Sequence, residues 1–266
     1  MKIYEWNIHM AATFSCNKGY SIKAWIADEI LCDNPDVIVL TEFVVSKGWD
    51  YFQGKLEEKE YFWFVSNTSG KNGILIAIKN NASYDFSSIF NYEHDAVNNS
   101  EIFFVNKVEN EDIILLPDFF EIKLKINQKE TSIIGVRIRE GNKKSQFQAL
   151  DQYLSKLNHS VVCVGDFNVY WPGIWRTKDN DKLPKTSKKY DLYTPKYKDG
   201  DNWFSYVHRD GTLVQLDHLI TNIKCSSVKY DWNFVTRQNG YWCIKEASNK
   251  PKGMPDHAIL KCDIDI

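Results

Sequence analysis

The sequence predicts an α/β protein with two sheets packed face to face and helices outside. Three observations lead there. Short runs rich in β-branched and aromatic residues recur along all 266 residues. Only two segments carry helical periodicity, and each feeds directly into an apolar strand. No repeat or low-complexity tract divides the chain, so a single domain over 1–266 is expected.

In order, the strand-like runs are KIYEWNI, DVIVLTE, GILIAIK, EIFFV, DIILL, FFEIKLKI, TSIIGVRIR, SVVCVGDF, LVQLDHLI and AILKCDI. The first helix is expected from Ser21 to Cys32. Ser21 caps it, Ile22, Trp25, Ile26 and Ile30 share one face, and Asn34-Pro35 stops it. The second starts near Ser145 and carries Phe147, Leu150, Leu154 and Leu157 at helical spacing. From Arg176 to Lys198 the composition changes. Arg176, Lys178, Lys182, Lys185, Lys188, Lys189, Lys196 and Lys198 stand against Asp179, Asp181 and Asp191, without apolar periodicity. This reads as a long basic loop, and long loops in compact domains are usually functional or disordered.

Composition sets bounds. Nine Trp, fourteen Tyr and fifteen Phe exclude a disordered chain. A net charge of −2 excludes a global electrostatic grip on nucleic acid, so a polyanion must be held by a local patch. Glu5, Asn7 and His9 stand where a signal peptide needs apolar residues, and no apolar run reaches transmembrane length. The six cysteines at 16, 32, 163, 225, 243 and 262 lack the close spacing of zinc ribbons or dense disulfide frameworks. A cytoplasmic protein with reduced thiols and no membrane partner is the expectation.

The chemistry lies where polar residues end apolar strands. Asn7 closes KIYEW, Glu42 closes DVIVLT, and Arg137 lies within IIGVRIR. Asp166 and Asn168 close VVCVG, Asp217 and His218 interrupt LVQLDHLI, and Asp256 and His257 open AILKCDI. Strand alternation points Asp166 and Asn168 the same way. An unpaired buried carboxylate costs several kcal/mol, so something must meet Asp166. Each residue alone has a plain structural explanation; their joint occurrence at strand ends does not. Gathered on one rim, oxygen ligands of this kind suit Mg²⁺ or Mn²⁺, with a carboxylate-paired His as acid/base or charge stabiliser.

The ordered set WN, TE, GDFN, LDHLITN and PDH, spanning Asn7 to His257, resembles the endonuclease/exonuclease/phosphatase superfamily of DNase I-like metal-dependent phosphodiesterases. The resemblance implies a four-layer α/β sandwich. It also implies that Asn7 and Glu42 bind the divalent metal, Asp256 assists, and Asp166 orients or deprotonates the attacking water. Asn168 then steadies the scissile phosphate, and His257, held by Asp217, contacts it. Two positions depart from the family pattern. Arg137 replaces the usual His or Tyr, and Pro255 stands where Ser usually precedes the DH pair. Arg cannot exchange a proton but can clamp a phosphate, so Arg137 is a phosphate or transition-state ligand; an ion pair with a neighbouring acid is the alternative.

His9 shares the face of Asn7 and is placed at the substrate, with a satisfied edge residue as the alternative. His218 is expected to face away, and His94, His159 and His208 need no special role. Tyr170 and Trp171 follow GDFN, where aromatics can stack on bases, although core packing is the default for each. With Arg176, Lys185, Lys188 and Lys189 from the basic loop, they complete the expected substrate contacts. The resulting expectation is a Mg²⁺- or Mn²⁺-dependent nuclease acting on DNA or RNA. The alternative is a phosphatase or phosphodiesterase of a small or lipid-linked phosphate, of inositol phosphate or sphingomyelin type.

Overall fold

The computed structural model describes residues 1–9, 22–66, 72–81, 84–85, 105–106, 114–115, 119–139, 143–169, 189–196, 202–208, 210–238 and 254–266. Along the chain run β1 Lys2–Asn7, α1 Ala24–Leu31, β2 Val37–Phe43, α2 Trp49–Glu58, β3 Tyr61–Val65, β4 Gly73–Lys79, β5 Tyr84–Asp85, β6 Val105–Asn106 and β7 Ile114–Leu115. There follow β8 Phe119–Ile126, β9 Lys129–Arg137, α3 Lys143–Lys156, β10 Ser160–Asp166, β11 Asp191–Tyr193, β12 Tyr206–Val207, β13 Leu213–Val214, β14 Asp217–Thr221, β15 Cys225–Asp231, α4 Asn233–Gln238 and β16 Ile259–Ile264.

Two six-stranded mixed sheets form, in the orders β15-β16-β1-β2-β4-β3 and β11-β14-β10-β9-β8-β5. Alternation decides what each face buries. On β10, Val162 and Val164 face the space between the sheets, while Val161 and Cys163 face α3. Helix α3 covers the second sheet with Phe147, Leu150 and Leu154. The first sheet is covered by Ile26 and Ile30 of α1, Phe52 and Leu56 of α2, and Phe234 of α4. Trp6 anchors that layer, with its ring 4.8 Å from Phe234 and 6.1 Å from Trp25. Each such side chain contributes about 1.5–3 kcal/mol on burial. Helices outside two packed sheets make the four-layer α/β sandwich.

Gly135 on β9 sets the spacing of the sheets. A Cβ there would lie 2.7 Å from Ile74 Cγ2 and 2.9 Å from Val39 Cγ1, both on the opposite sheet. Parallel pairing of β1 with β2 and of β9 with β10 brings their C-terminal ends to one rim. Ligand sites in α/β sheets form at such ends.

Several expectations are corrected. The first helix begins at Ala24, after Lys23, which makes no side-chain cap; Ser21 lies outside the described residues. LVQLDHLI is two strands, β13 and β14, rather than one. Helix α2 is hidden in the sequence because Gly54 interrupts a mostly polar segment, although Phe52 and Leu56 sit at helical spacing and are buried. No helix among the described residues is long and apolar enough to cross a membrane.

Candidate active site

Three neighbouring strands of the second sheet bring Arg137, Asp166 and Asp217 side by side. Arg137 is the parallel partner of Asp166, and Asp217 is its antiparallel partner. Gly165 permits this packing, because a Cβ there would stand 1.8 Å from the Val136 carbonyl oxygen. Across the gap, β1 presents Asn7. Its carboxamide nitrogen donates to Asp166 Oδ2 at 2.9 Å and to Glu42 Oε1 at 3.3 Å, linking the sheets. Asn7 Oδ1 accepts the His9 N–H at 2.9 Å.

Glu42 reaches the rim through its backbone. Thr41 bonds to Glu5 at 3.1 Å on the face between the sheets, so strict alternation would send Glu42 toward the helices. Instead the β2–β4 register breaks between Leu40 and Phe43, and Glu42 adopts φ +51°. Its Oε1 meets an Arg137 guanidinium nitrogen at 2.7 Å, and its Oε2 lies 3.6 Å from His9 Nδ1. The ion-pair alternative for Arg137 is therefore realised here. Asn168 has φ +50°. It meets Asp166 through a tight turn rather than strand alternation: its N–H donates to Asp166 Oδ1 at 2.9 Å, and Nδ2 donates to Asp166 Oδ2 at 2.9 Å and to the Ile138 carbonyl at 2.7 Å. His9 is also left-handed, at φ +47°. Left-handed non-glycine residues concentrate at functional sites.

The second half of the site is a buried His–Asp pair. His257 Nδ1 lies 2.8 Å from Asp217 Oδ2 and 3.1 Å from Oδ1. The Trp6 indole N–H donates to the His257 carbonyl at 2.9 Å, and Tyr206 packs on the imidazole at 4.8 Å between centroids. Asp217 is held through its main chain. The Tyr230 hydroxyl donates to its carbonyl at 2.6 Å, and its N–H donates to Ser205 Oγ at 3.2 Å.

Electrostatics separates the roles. Burial disfavours the His257 cation, but Asp217, Asp166 and Asp256 outweigh this and raise its pKa to about 10. Burial pushes Asp166 up; Asp217 and Glu42 add to this, His257 and Arg137 oppose it, and the result is about 7. His218 faces away as expected. It is fully buried against the Val169 carbonyl at 3.1 Å, and burial lowers its pKa to about 4. Beneath the rim, Glu5 is completely buried, and burial followed by Asp217 raises its pKa well above the carboxylate range.

Among the described residues, two groups could hold a metal. Donor atoms of Asp166, Asp217 and His257 lie within 4.8 Å of one another. There, however, Asp217, Asp166 and Asp256 raise the His257 pKa to about 10, and the ring is a ligand only once that proton is lost. Glu42, Asn7 and Asp256 offer only oxygen. His9 Nδ1 stands 3.6 Å from Glu42 and 3.7 Å from Asp256, a point where two carboxylates favour positive charge. This set fits a hard divalent cation.

A cavity of about 550 Å³ opens over the site, lined among others by His9, Glu42, Arg137, Asp166, Asn168, Asp256 and His257. The structure thus gathers Asn7, Glu42, Arg137, Asp166, Asn168, Asp217, Asp256, His257 and His9. Lys189 is not among them. Its ammonium donates to the Leu157 carbonyl and, at 3.1 Å, to Asn158, beyond the opposite end of β10 from Asp166. Tyr170, Trp171, Arg176, Lys185 and Lys188 lie outside the described residues. Asn72, Arg139, Tyr206 and His208 also line the cavity, and the sequence reading did not place them there. SYVH before RDGT carries a hairpin signal that would put Tyr206 and His208 on one face.

Fold and site together define a DNase I-like sandwich with a carboxylate, carboxamide and imidazole centre. The chain belongs to the endonuclease/exonuclease/phosphatase family, whose model matches residues 5–223. Among solved structures it is similar to humanized D. rerio TDP2, with TM-score 0.66 and 10% identity over 100% of this chain and 99% of that one. It is also similar to the 3'-5' exonuclease NExo from Neisseria meningitidis, with TM-score 0.57 and 15% identity over 100% of both chains. A family protein from Leptotrichia buccalis C-1013-b gives 0.57 and 14% over 100% of both. At these identities the likeness is one of fold. No curated protein matches the sequence.

Proposed function

We propose that this chain is a divalent-metal-dependent phosphodiester hydrolase acting on nucleic acid, with 1–266 as one catalytic domain. The observation that carries this reading is the Asn7–Asp166 hydrogen bond across the sheets beside the His257–Asp217 pair. A carboxyl group poised near pH 7 and an imidazole held cationic thus line one cavity.

Asp166 accepts the proton of the attacking water, a task suited to a group poised near neutrality. Asn7 and Asn168 fix the orientation of its carboxylate. Both hydrogens of Asn168 Nδ2 are engaged, so its contribution is to position Asp166. His257 uses Nδ1 on Asp217, which leaves Nε2 to donate to a phosphate oxygen as negative charge builds there. Arg137 clamps a second phosphate oxygen. Glu42 with Asn7 and Asp256 would hold Mg²⁺ or Mn²⁺, which would supply Lewis-acid stabilisation of that charge. Support for a nucleic-acid substrate comes from D. rerio TDP2 complexed with single strand DNA product and from NExo bound to a product DNA hairpin. The basic 176–198 stretch, Lys189 apart, supplies flanking phosphate contacts.

A second reading, a phosphatase of a small phosphate, draws on the cavity, whose volume suits a single nucleotide or sugar phosphate. The test is a Mg²⁺ assay against duplex DNA, single-stranded DNA, RNA, an inositol polyphosphate and a choline phospholipid. Cleavage of a nucleic acid upholds the first reading. Turnover confined to the inositol polyphosphate or the lipid replaces it with the second.

A further inference from the structure

The Arg137–Glu42 pair joins β9 of one sheet to the distorted end of β2 in the other at 2.7 Å. Both side chains are shielded, with 20% of Arg137 and 8% of Glu42 exposed, so solvent screens the pair little. Glu42 Oε1 accepts the Asn7 amide as well, and Oε2 faces His9. The carboxylate best placed for a divalent cation is thus already compensated. A cation binding Glu42 meets a fixed positive charge that cannot leave by losing a proton.

We infer that Arg137 is the internal counter-cation of Glu42, and that its transfer from this carboxylate to the substrate phosphate makes cation and phosphate bind with positive coupling. The inference rests on the reading of Glu42 as a metal ligand. Arg137 lines the same cavity as His257 and Asn168, within the space a phosphate would fill. Its planar fork matches phosphate oxygens as well as it matches a carboxylate. A phosphate gives the displaced guanidinium a new partner and frees Glu42; a cation at Glu42 frees the guanidinium for phosphate. Linkage requires the two effects to be equal in size.

The test is Mn²⁺ binding to the full chain, measured by electron paramagnetic resonance with and without thymidine 5′-monophosphate. In wild type the nucleotide should tighten Mn²⁺ about 5-fold or more. Arg137→Gln should bind Mn²⁺ alone roughly tenfold more tightly than wild type. In that variant the nucleotide should tighten Mn²⁺ clearly less than in wild type, because only the direct attraction between cation and phosphate is left. Arg137→Lys keeps the charge without the fork; it should bind Mn²⁺ about as wild type does while its coupling falls, and it is read alone if the Gln variant does not fold. Unchanged Mn²⁺ affinity in Arg137→Gln, or full coupling in either variant, overturns the inference. Glu42→Gln separates the two levels. If it binds Mn²⁺ as wild type does, the metal assignment itself falls. If it loses Mn²⁺ while the Arg137 variants behave as wild type, only the counter-cation role falls.

Discussion

His257 and Asp217 are joined by a buried contact of 2.8 Å between residues 40 positions apart in the chain. Asp217 and the neighbouring Asp166 and Asp256 hold the imidazole cationic against the cost of burial. His257→Ala should lower kcat by about 10²–10⁴-fold, because it removes the proposed donor to the developing phosphate charge. Asp217→Asn should give most of the same loss with little change in KM. Steady-state kinetics on folded variants checks both, and a near wild-type rate in His257→Ala would place the chemistry elsewhere.

The rate should follow a bell in pH. In the proposed mechanism Asp166 must be ionised to accept a proton, and its pKa is raised to about 7, so activity should climb as pH rises through that value. The same mechanism needs His257 protonated, and its pKa is raised to about 10, so activity should fall as pH passes that value. A kcat/KM profile measured at constant metal checks the window. A rising limb near pH 4, the ordinary carboxylate range, would show that burial does not raise Asp166 in this way.

Glu5 bears on stability. Its folded pKa lies well above its unfolded value because of burial and then Asp217, so the folded state keeps a proton that the unfolded state releases. The sign follows: there is no penalty below the unfolded pKa, and stability is lost as pH rises from there toward the folded pKa. Glu5→Gln should therefore raise the melting temperature more at about pH 8 than at about pH 4. Equal effects at both would show that Glu5 is ionised in the folded protein.

Much of this site is legible in the sequence because each polar residue ends an apolar strand. Asp166 and Asp217 lie where strand pairing alone brings them together, and Asn7 ends the strand that meets them from the other sheet. Glu42 and Asn168 reach the site through left-handed backbone that a two-residue period cannot encode. The Arg137–Glu42 pair needs the distance between the sheets, which depends on Gly135 meeting Ile74 and Val39. Tyr206 and His208 do not stand out in sequence, because aromatic residues are frequent throughout the chain. Composition groups Lys189 with the substrate residues; its ammonium instead serves the carbonyl following α3.

That difference yields a contrast. Charge reversal at Lys182, Lys185 and Lys188 should weaken nucleic-acid binding and flatten its salt dependence, by about one unit of slope for each phosphate these residues no longer neutralise. Lys189→Ala should leave the slope unchanged and lower the melting temperature slightly. Binding isotherms across a salt series would read both. Identical slopes in the triple variant and wild type would reduce the basic stretch to a solvated face.

The most direct measurement is cleavage of a single-stranded DNA oligonucleotide under four conditions: wild type with Mg²⁺, wild type with excess EDTA, EDTA-treated wild type after Mn²⁺ is restored, and Asp166→Asn with Mg²⁺. The account predicts cleavage in the first and third, none in the second, and a loss of about 10²-fold or more in the fourth. Full activity in EDTA, or a wild-type rate in Asp166→Asn, would contradict a metal-dependent hydrolase centred on Asp166.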